Sequence, residues 1–145
     1  MALGVCGLLA LCVVLIFGQT VSFEFVNLDD DYYVYQNAQV MRGVTWEGAA
    51  WAFCSSHAAN WHPVTWLSLM LDVEIFGLAP WGHHLTNVAL HAANAVLLFI
   101  ALWRMTGGLW PSALAAALFA VHPLRAESVA WVAERKDLLS GLFFM

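Results

Sequence analysis

Apolar residues in this chain come in long runs, separated by one broad stretch that mixes charge with tryptophan. Residues 2–23 carry no charge save that Glu24 follows at once, and about 20 apolar residues cross a bilayer core as a helix. They predict a first membrane span. The alternative, a cleaved signal peptide, would have a basic start and a shorter apolar run. Residues 24–82 differ in kind, with Glu24, Asp29, Asp30, Asp31, Arg42, Glu47, Asp72 and Glu74 set among Trp46, Trp51, Trp61, Trp66 and Trp81. That mix predicts a large loop on the membrane interface with short amphipathic helices in it. Thr45 as N-cap and Glu47 in the first turn predict one over residues 45–53. Pro63 at a helix start, with Trp66, Leu67, Met70, Leu71 and Val73 on the apolar side, predicts another over Pro63–Phe76, ended by Gly77 and Pro80.

Beyond this loop the pattern predicts a second span over residues 83–103, a Gly107-Gly108 break and a third apolar helix over 110–123. A polar loop over 124–137 and the start of a fourth run at 138–145 follow. Eight residues cannot cross a bilayer, so the chain reads as the N-terminal part of one larger membrane domain. The expected class is all-α, a multi-span transmembrane helical bundle with interfacial helices in its first loop.

Composition strengthens this reading. Hydrophobic residues make up 62% and charged residues 10%, against roughly 25% charged in an ordinary soluble domain. So few charges cannot cover a globule of 145 residues, and lipid is expected to cover the remainder. A net charge of −5 with five Lys+Arg lacks the basic footprint that nucleic acid requires. Cys6, Cys12 and Cys54 have no metal-ligand spacing, and two of them lie in the first apolar run.

Four clusters have the residues for chemistry. Asp29-Asp30-Asp31, with Tyr32, Tyr33 and Tyr35 beside it, places three carboxylates in a row. Their repulsion raises the pKa of at least one, and such a group can bind a divalent metal or act as a general base; a solvated acidic loop is the plainer reading. His84, Asn87, His91 and Asn94 fall at spacings of 3, 4 and 3 on one face of the second span. That face is expected to turn into the bundle for interhelical hydrogen bonds or toward a wet cavity; His84 and His91, about 10 Å apart along the axis, cannot share one ion. The run from His122-Pro123-Leu124-Arg125-Ala126-Glu127 to Glu134-Arg135-Lys136-Asp137 suits an ion-pair network or a phosphate site with Arg or Lys as clamp. Asn60-Trp61-His62-Pro63 sets His62 at a helix start, where it can face the acidic loop or simply pack.

Taken together, four strings carry a resemblance. They are Phe25-Val26-Asn27-Leu28-Asp29-Asp30-Asp31-Tyr32-Tyr33-Val34; Asn60 through Ser68; His83-His84-Leu85-Thr86-Asn87 with His91-Ala92-Ala93-Asn94; and His122-Pro123-Leu124 with Glu127 through Asp137. They resemble bacterial membrane proteins that join a glycosyltransferase-like membrane half to tetratricopeptide repeats, with the animal O-mannosyltransferases of similar build as distant relatives. More remotely the chain is similar to the protein O-mannosyltransferases and lipid A aminoarabinose transferases of the GT-C fold. The resemblance implies a multi-pass glycosyltransferase in the bacterial cytoplasmic (inner) membrane. It would transfer a mannose-like sugar from a polyprenyl-phosphate donor to a protein hydroxyl or an envelope glycan. It implies Asp29 and Asp30 as the catalytic acidic pair, and His62, Arg125, Arg135 and Lys136 on the substrate, Arg135 and Lys136 at its phosphate. Asp31 and Glu127 would be ligands of a divalent metal ion, if one takes part. The chain departs from the family at Arg125, where relatives have His, and in lacking basic residues before the first helix.

Charge distribution and resemblance disagree on orientation. If the second and third helices both span, Arg42, Arg125, Arg135 and Lys136 share one side, and Arg104 is alone on the other. The positive-inside bias would then place the acidic loop in the cytoplasm, whereas the resemblance places it outside. The external assignment is preferred here, because three of those four cations stand where the resemblance puts an active site. Two rival readings need no transferase. One is a non-catalytic membrane anchor for a repeat-bearing scaffold. The other is an ion or proton path along His84–Asn94, which lacks a buried carboxylate.

Overall fold

The computed structural model describes residues 1–57 and 60–145. Every regular element among them is helical: α1 (Ala2–Phe17), α2 (Trp46–Cys54), α3 (Pro63–Phe76), α4 (Pro80–Thr106), α5 (Leu109–Ala120), α6 (Arg125–Ala130) and α7 (Arg135–Phe144), with short tight turns at Gly18–Ser22, Val40–Arg42 and Val132–Glu134.

Among the described residues, two helices are long and apolar enough to cross a membrane. One is α1 with its continuation, Ala2–Ser22, and the other is the 27-residue α4, about 40 Å long at 1.5 Å per residue. The helix expected over residues 83–103 therefore begins earlier and ends later than expected from the sequence. Pro80 starts it, because a missing N–H costs nothing in a first turn. Gly107, at φ 72°, stops it in the left-handed conformation that glycine adopts without a Cβ clash. By contrast α5 has 12 residues, about 18 Å, and falls short of a bilayer core of about 30 Å. It folds back against α4 and α1. The polar stretch expected as a plain loop contains α6, and α7 starts at Arg135, three residues before the expected apolar run.

The two helices expected in the first loop are present. Thr45 caps α2, its hydroxyl accepting the Gly48 N–H at 2.9 Å, and α3 occupies Pro63–Phe76. Apolar burial divides into two clusters. Leu9, Val13, Phe17, Val88, Ala95, Phe99, Ala116 and Ala120 pack α1, α4 and α5 together. Tyr33, Val34, Val40, Ala52, Trp66, Leu69, Met70, Val132 and Ala133 make a separate core in which the first loop closes on residues 132–133 of the second. The two loops thus meet on one side of the helices.

Candidate functional site

The site is built where the acidic segment meets the second loop. After the turn at Gly18–Ser22 the backbone extends at Phe23, then coils again at Asp30. Gln36 N–H bonds to Asp31 O at 2.8 Å, an i→i+5 closure that makes Asp31–Tyr35 a π-helical turn. Such turns are rare and collect at functional positions.

The three aspartates have three different environments. Asp30 is fully buried. One carboxylate oxygen accepts the Val26 N–H and the other accepts the Ala133 N–H, each at 2.8 Å. Burial pushes its pKa up, the two N–H bonds pull it back, and the neighbouring charges of Asp29 and Asp31 add to the rise. Asp30 is therefore the clasp between the two loops. Asp31 is half-buried and accepts the Tyr32 N–H at 2.9 Å. Asp29 is exposed, and its side chain makes no hydrogen bond or ion pair among the described residues, so its lone pairs are open to solvent.

Behind the acidic turn stands an aromatic stack. The Tyr33 ring lies on His62 (5.6 Å between centroids, 13° between planes), and His62 lies on the fully buried Trp66 at 4.8 Å. Lys136 Nζ sits 5.8 Å from the Tyr33 ring centroid and pairs with Glu134 at 2.7 Å. Burial raises the Tyr33 phenol; Lys136 and a hydrogen bond with Asn60 oppose the rise, and the Asp29 and Glu134 charges favour it. Asp29, Lys136 and Glu134 therefore all act on one hydroxyl. Burial lowers the His62 pKa, with Lys136 and His57 adding to the shift. Burial alone would lower Lys136, but Glu134, helped by the charges of Tyr33 and Asp137, outweighs it and the ammonium is held above its ordinary value. His62 is thus held neutral and Lys136 charged. Both line a groove of about 400 Å³ whose other walls include Phe53, Trp61, Val64 and Phe143, a greasy channel with one cation in its lining.

Other expected site residues stand elsewhere. Arg135, expected at a phosphate, is fully buried. Its guanidinium pairs with Asp72 at 2.6 Å and donates to Asn87 Oδ1 and His83 O at 2.8 Å and to Ser68 Oγ at 3.1 Å. With those groups engaged, Arg135 ties α3, α4 and α7 together and presents nothing to a ligand. Arg125 lies on the other side of α7, its guanidinium 4.8 Å from the Phe119 ring centroid. Glu127 is exposed in the first turn of α6 and has no side-chain partner among the described residues. No group of three or more His, Cys, Asp or Glu among them could hold a metal. Asp31 and Glu127, the expected metal ligands, belong to no such group.

The polar face of α4 points inward as expected. Asn87 donates to Val129 O and Trp131 O at 3.2 Å, Asn94 donates to Leu138 O at 2.9 Å, and His91 Nε2 meets Ala120 O at 3.0 Å. Asp72 was the residue sequence reasoning missed. It follows Thr65 and Leu69 at i+7 and i+3, all three on the buried face of α3, so helical spacing alone marks it as a carboxylate in need of a buried cation.

Comparison with known proteins gives the chain its relatives. No family model matches it, and no solved structure does. Protein O-mannosyl-transferase Tmtc2 of Drosophila melanogaster is 33% identical over 126 residues, 81% of this chain and 13% of that protein. Human protein O-mannosyl-transferase TMTC2 is 30% identical over 141 residues, 87% of this chain and 16% of that protein. Human protein O-mannosyl-transferase TMTC4 is 32% identical over 150 residues, 89% of this chain and 20% of that protein. The chain thus spans a fifth or less of the length of these relatives. They are animal proteins, and the bacterial setting expected from the sequence finds no support in them. The chain is homologous to one stretch of the TMTC protein O-mannosyl-transferases.

Proposed function

We propose that the protein containing this chain is a membrane glycosyltransferase of GT-C type that moves a mannose-like sugar from a polyprenyl-phosphate donor to a protein hydroxyl. The observation that carries the proposal is the seam itself. Exposed Asp29 and the cation Lys136 act on the same tyrosine, beside an apolar groove, where Asp30 joins the two loops. The reaction class is that for which the relatives are named.

The chemistry follows from those groups. A polyprenyl chain suits the groove walls, and its phosphate would lie toward Lys136, the strongest charge there. The acceptor oxygen attacks the anomeric carbon as the bond from that carbon to the phosphate oxygen breaks. Asp29 takes the hydroxyl proton, and Lys136 stabilises the charge growing on the departing polyprenyl phosphate. His62, neutral, supplies a hydrogen bond without adding charge. Asp30 is a positioning residue, because both its oxygens are engaged by backbone. The reading also carries the expected setting: a multi-pass protein with the acidic loop outside, and tetratricopeptide repeats in the longer protein. A cysteine placed at the exposed Ser56 should react with an impermeant thiol reagent without permeabilisation of the membrane. Reaction only after permeabilisation would reverse the orientation.

A second reading, a non-catalytic anchor for a scaffold, draws support from Asp30 and Arg135, since both have structural work that explains their presence. Donor binding separates the two. Full-length protein should bind polyprenyl-phosphate mannose, and Lys136→Met should weaken binding about tenfold or more, the worth of a charged hydrogen bond. A full-length protein that folds and binds no donor lipid is an anchor.

A further inference from the structure

Along the second loop, buried and open residues alternate. Val132, Ala133 and Arg135 are fully buried, while the side chains of Glu134 and Lys136 keep 18% and 32% of their surface open. The backbone that carries this pair is fixed at three points. The Ala133 N–H is bound to Asp30 at 2.8 Å. The Glu134 N–H closes the tight turn on Trp131 O at 3.2 Å. The Arg135 guanidinium is tied to Asp72. Glu134 and Lys136 are therefore presented by a rigid turn, and Lys136 Nζ donates to Glu134 Oε1 at 2.7 Å.

This carboxylate is not needed to hold the seam together. Asp30 and Arg135 already do that with buried bonds, and an ion pair with water beside it adds little to stability. Its effect falls on whatever else comes to Lys136. An ammonium has three N–H donors, and Glu134 occupies one of them. A phosphate at Lys136 therefore shares the cation with a carboxylate in contact with it. Asp29 adds a second negative charge, since both it and Glu134 act on Tyr33, whose ring centroid is 5.8 Å from Nζ.

That repulsion does not weigh equally on the two lipids of the proposed reaction. A polyprenyl-phosphate sugar is a phosphodiester with one negative charge. The spent polyprenyl phosphate is a monoester, with about −1.5 to −2 at neutral pH. A lysine without a carboxylate beside it would hold the product more tightly than the donor. We propose that Glu134 is a positioning residue that competes with the lipid phosphate for Lys136: it aims the ammonium between turnovers, yields to the singly charged donor, and recaptures the ammonium as the more highly charged product leaves. The inference rests on the transferase reading and deepens it, by giving the site a means of releasing its product.

Affinities of full-length protein in lipid nanodiscs for polyprenyl phosphate and for polyprenyl-phosphate mannose test it. Glu134→Gln keeps the shape and removes the charge. It should tighten polyprenyl phosphate about fivefold or more, the effect of one unit charge about 4 Å away even in water, and tighten the mannose donor less. Glu134→Asp, which keeps the charge, should bind both lipids more nearly as wild type does. A residue that merely supported the fold would on removal weaken binding or leave it alone. Product binding unchanged or weakened in Glu134→Gln, equal tightening of both lipids, or the same tightening in Glu134→Asp would overturn the role of Glu134 and leave the transferase reading standing. Wild-type protein that bound neither lipid would remove both.

Discussion

The two buried clusters hold together by different means. In the α1–α4–α5 cluster the inward positions are Val, Ala, Phe and Leu, while the outward ones, such as Leu3, Leu8 and Leu15, are also apolar and exposed. Polar residues enter it chiefly along one face of α4, where Asn94 and His91 bond to backbone carbonyls of α7 and of the end of α5. The loop cluster has large aromatics at its centre and two fully buried ionisable nodes, Asp30 and the Asp72–Arg135 pair. Asp30 reaches 103 residues along the chain to Ala133, and Arg135 reaches 67 back to Ser68. The helical cluster spreads its cohesion over many small contacts, whereas the loop cluster concentrates it in a few residues that must be right. A surface meant to hold a substrate in one geometry gains from the second arrangement.

The largest effect that would sharpen this contrast is at Arg135. Burial raises the Asp72 carboxyl and the guanidinium pulls it back; burial likewise opposes the charge on Arg135. Arg135→Met should cost about 3–5 kcal/mol, because it strands a buried carboxylate, and Asp72→Leu added to it should recover most of the loss. Denaturant unfolding of the single and double variants in micelles checks this. Equal losses in the single and double variants would show that the stranded carboxylate is not the cause of the loss.

Next comes Asp30→Asn. The amide can accept one of the two N–H groups but turns a donor toward the other, a cost of about 1–3 kcal/mol. The pH dependence has a definite sign. Because its folded pKa is raised, the folded state holds more protons than the unfolded state between the ordinary carboxylate value and the raised one. Stability contributed through Asp30 therefore falls as pH rises through that window, and the fall should vanish in Asp30→Asn. His62 behaves in the opposite sense. Its lowered pKa makes the folded state bind fewer protons, so stability rises with pH from the lowered value up to about 6.5. Unfolding midpoints measured across about pH 3–8, which spans both ordinary values, separate the two contributions.

Smaller still is Thr45→Ala, which removes the cap of α2 and should cost about 1 kcal/mol. Leu15→Ala, on the outer face of α1 and 74% exposed, should change unfolding in micelles least of all, since lipid tails are as apolar as leucine. A loss there as large as at Arg135 would erase the distinction between the two clusters.

What the sequence made legible was local. Thr45 as a cap, Pro63 and Gly77 as the ends of α3, and the inward polar face of α4 all rest on spacings within a few turns. The fates of Arg135 and Asp30 were not legible, because each depends on a partner brought near only when the two loops close. A cation beside Glu134, Lys136 and Asp137 reads as part of a charged surface until Asp72 is seen beneath it. The Asp29-Asp30-Asp31 run likewise reads as one acidic patch, although its middle member faces inward and its first faces solvent.

That division of labour within the triplet is what the transferase reading stands on. Mannosyl transfer from polyprenyl-phosphate mannose, measured for full-length Asp29→Asn together with its unfolding midpoint, addresses it most directly. The account predicts transfer reduced by at least about a hundredfold, the lower range for loss of a general base, with the midpoint unchanged. Wild-type transfer, or a loss matched by the same fall in midpoint as Asp30→Asn, would contradict it.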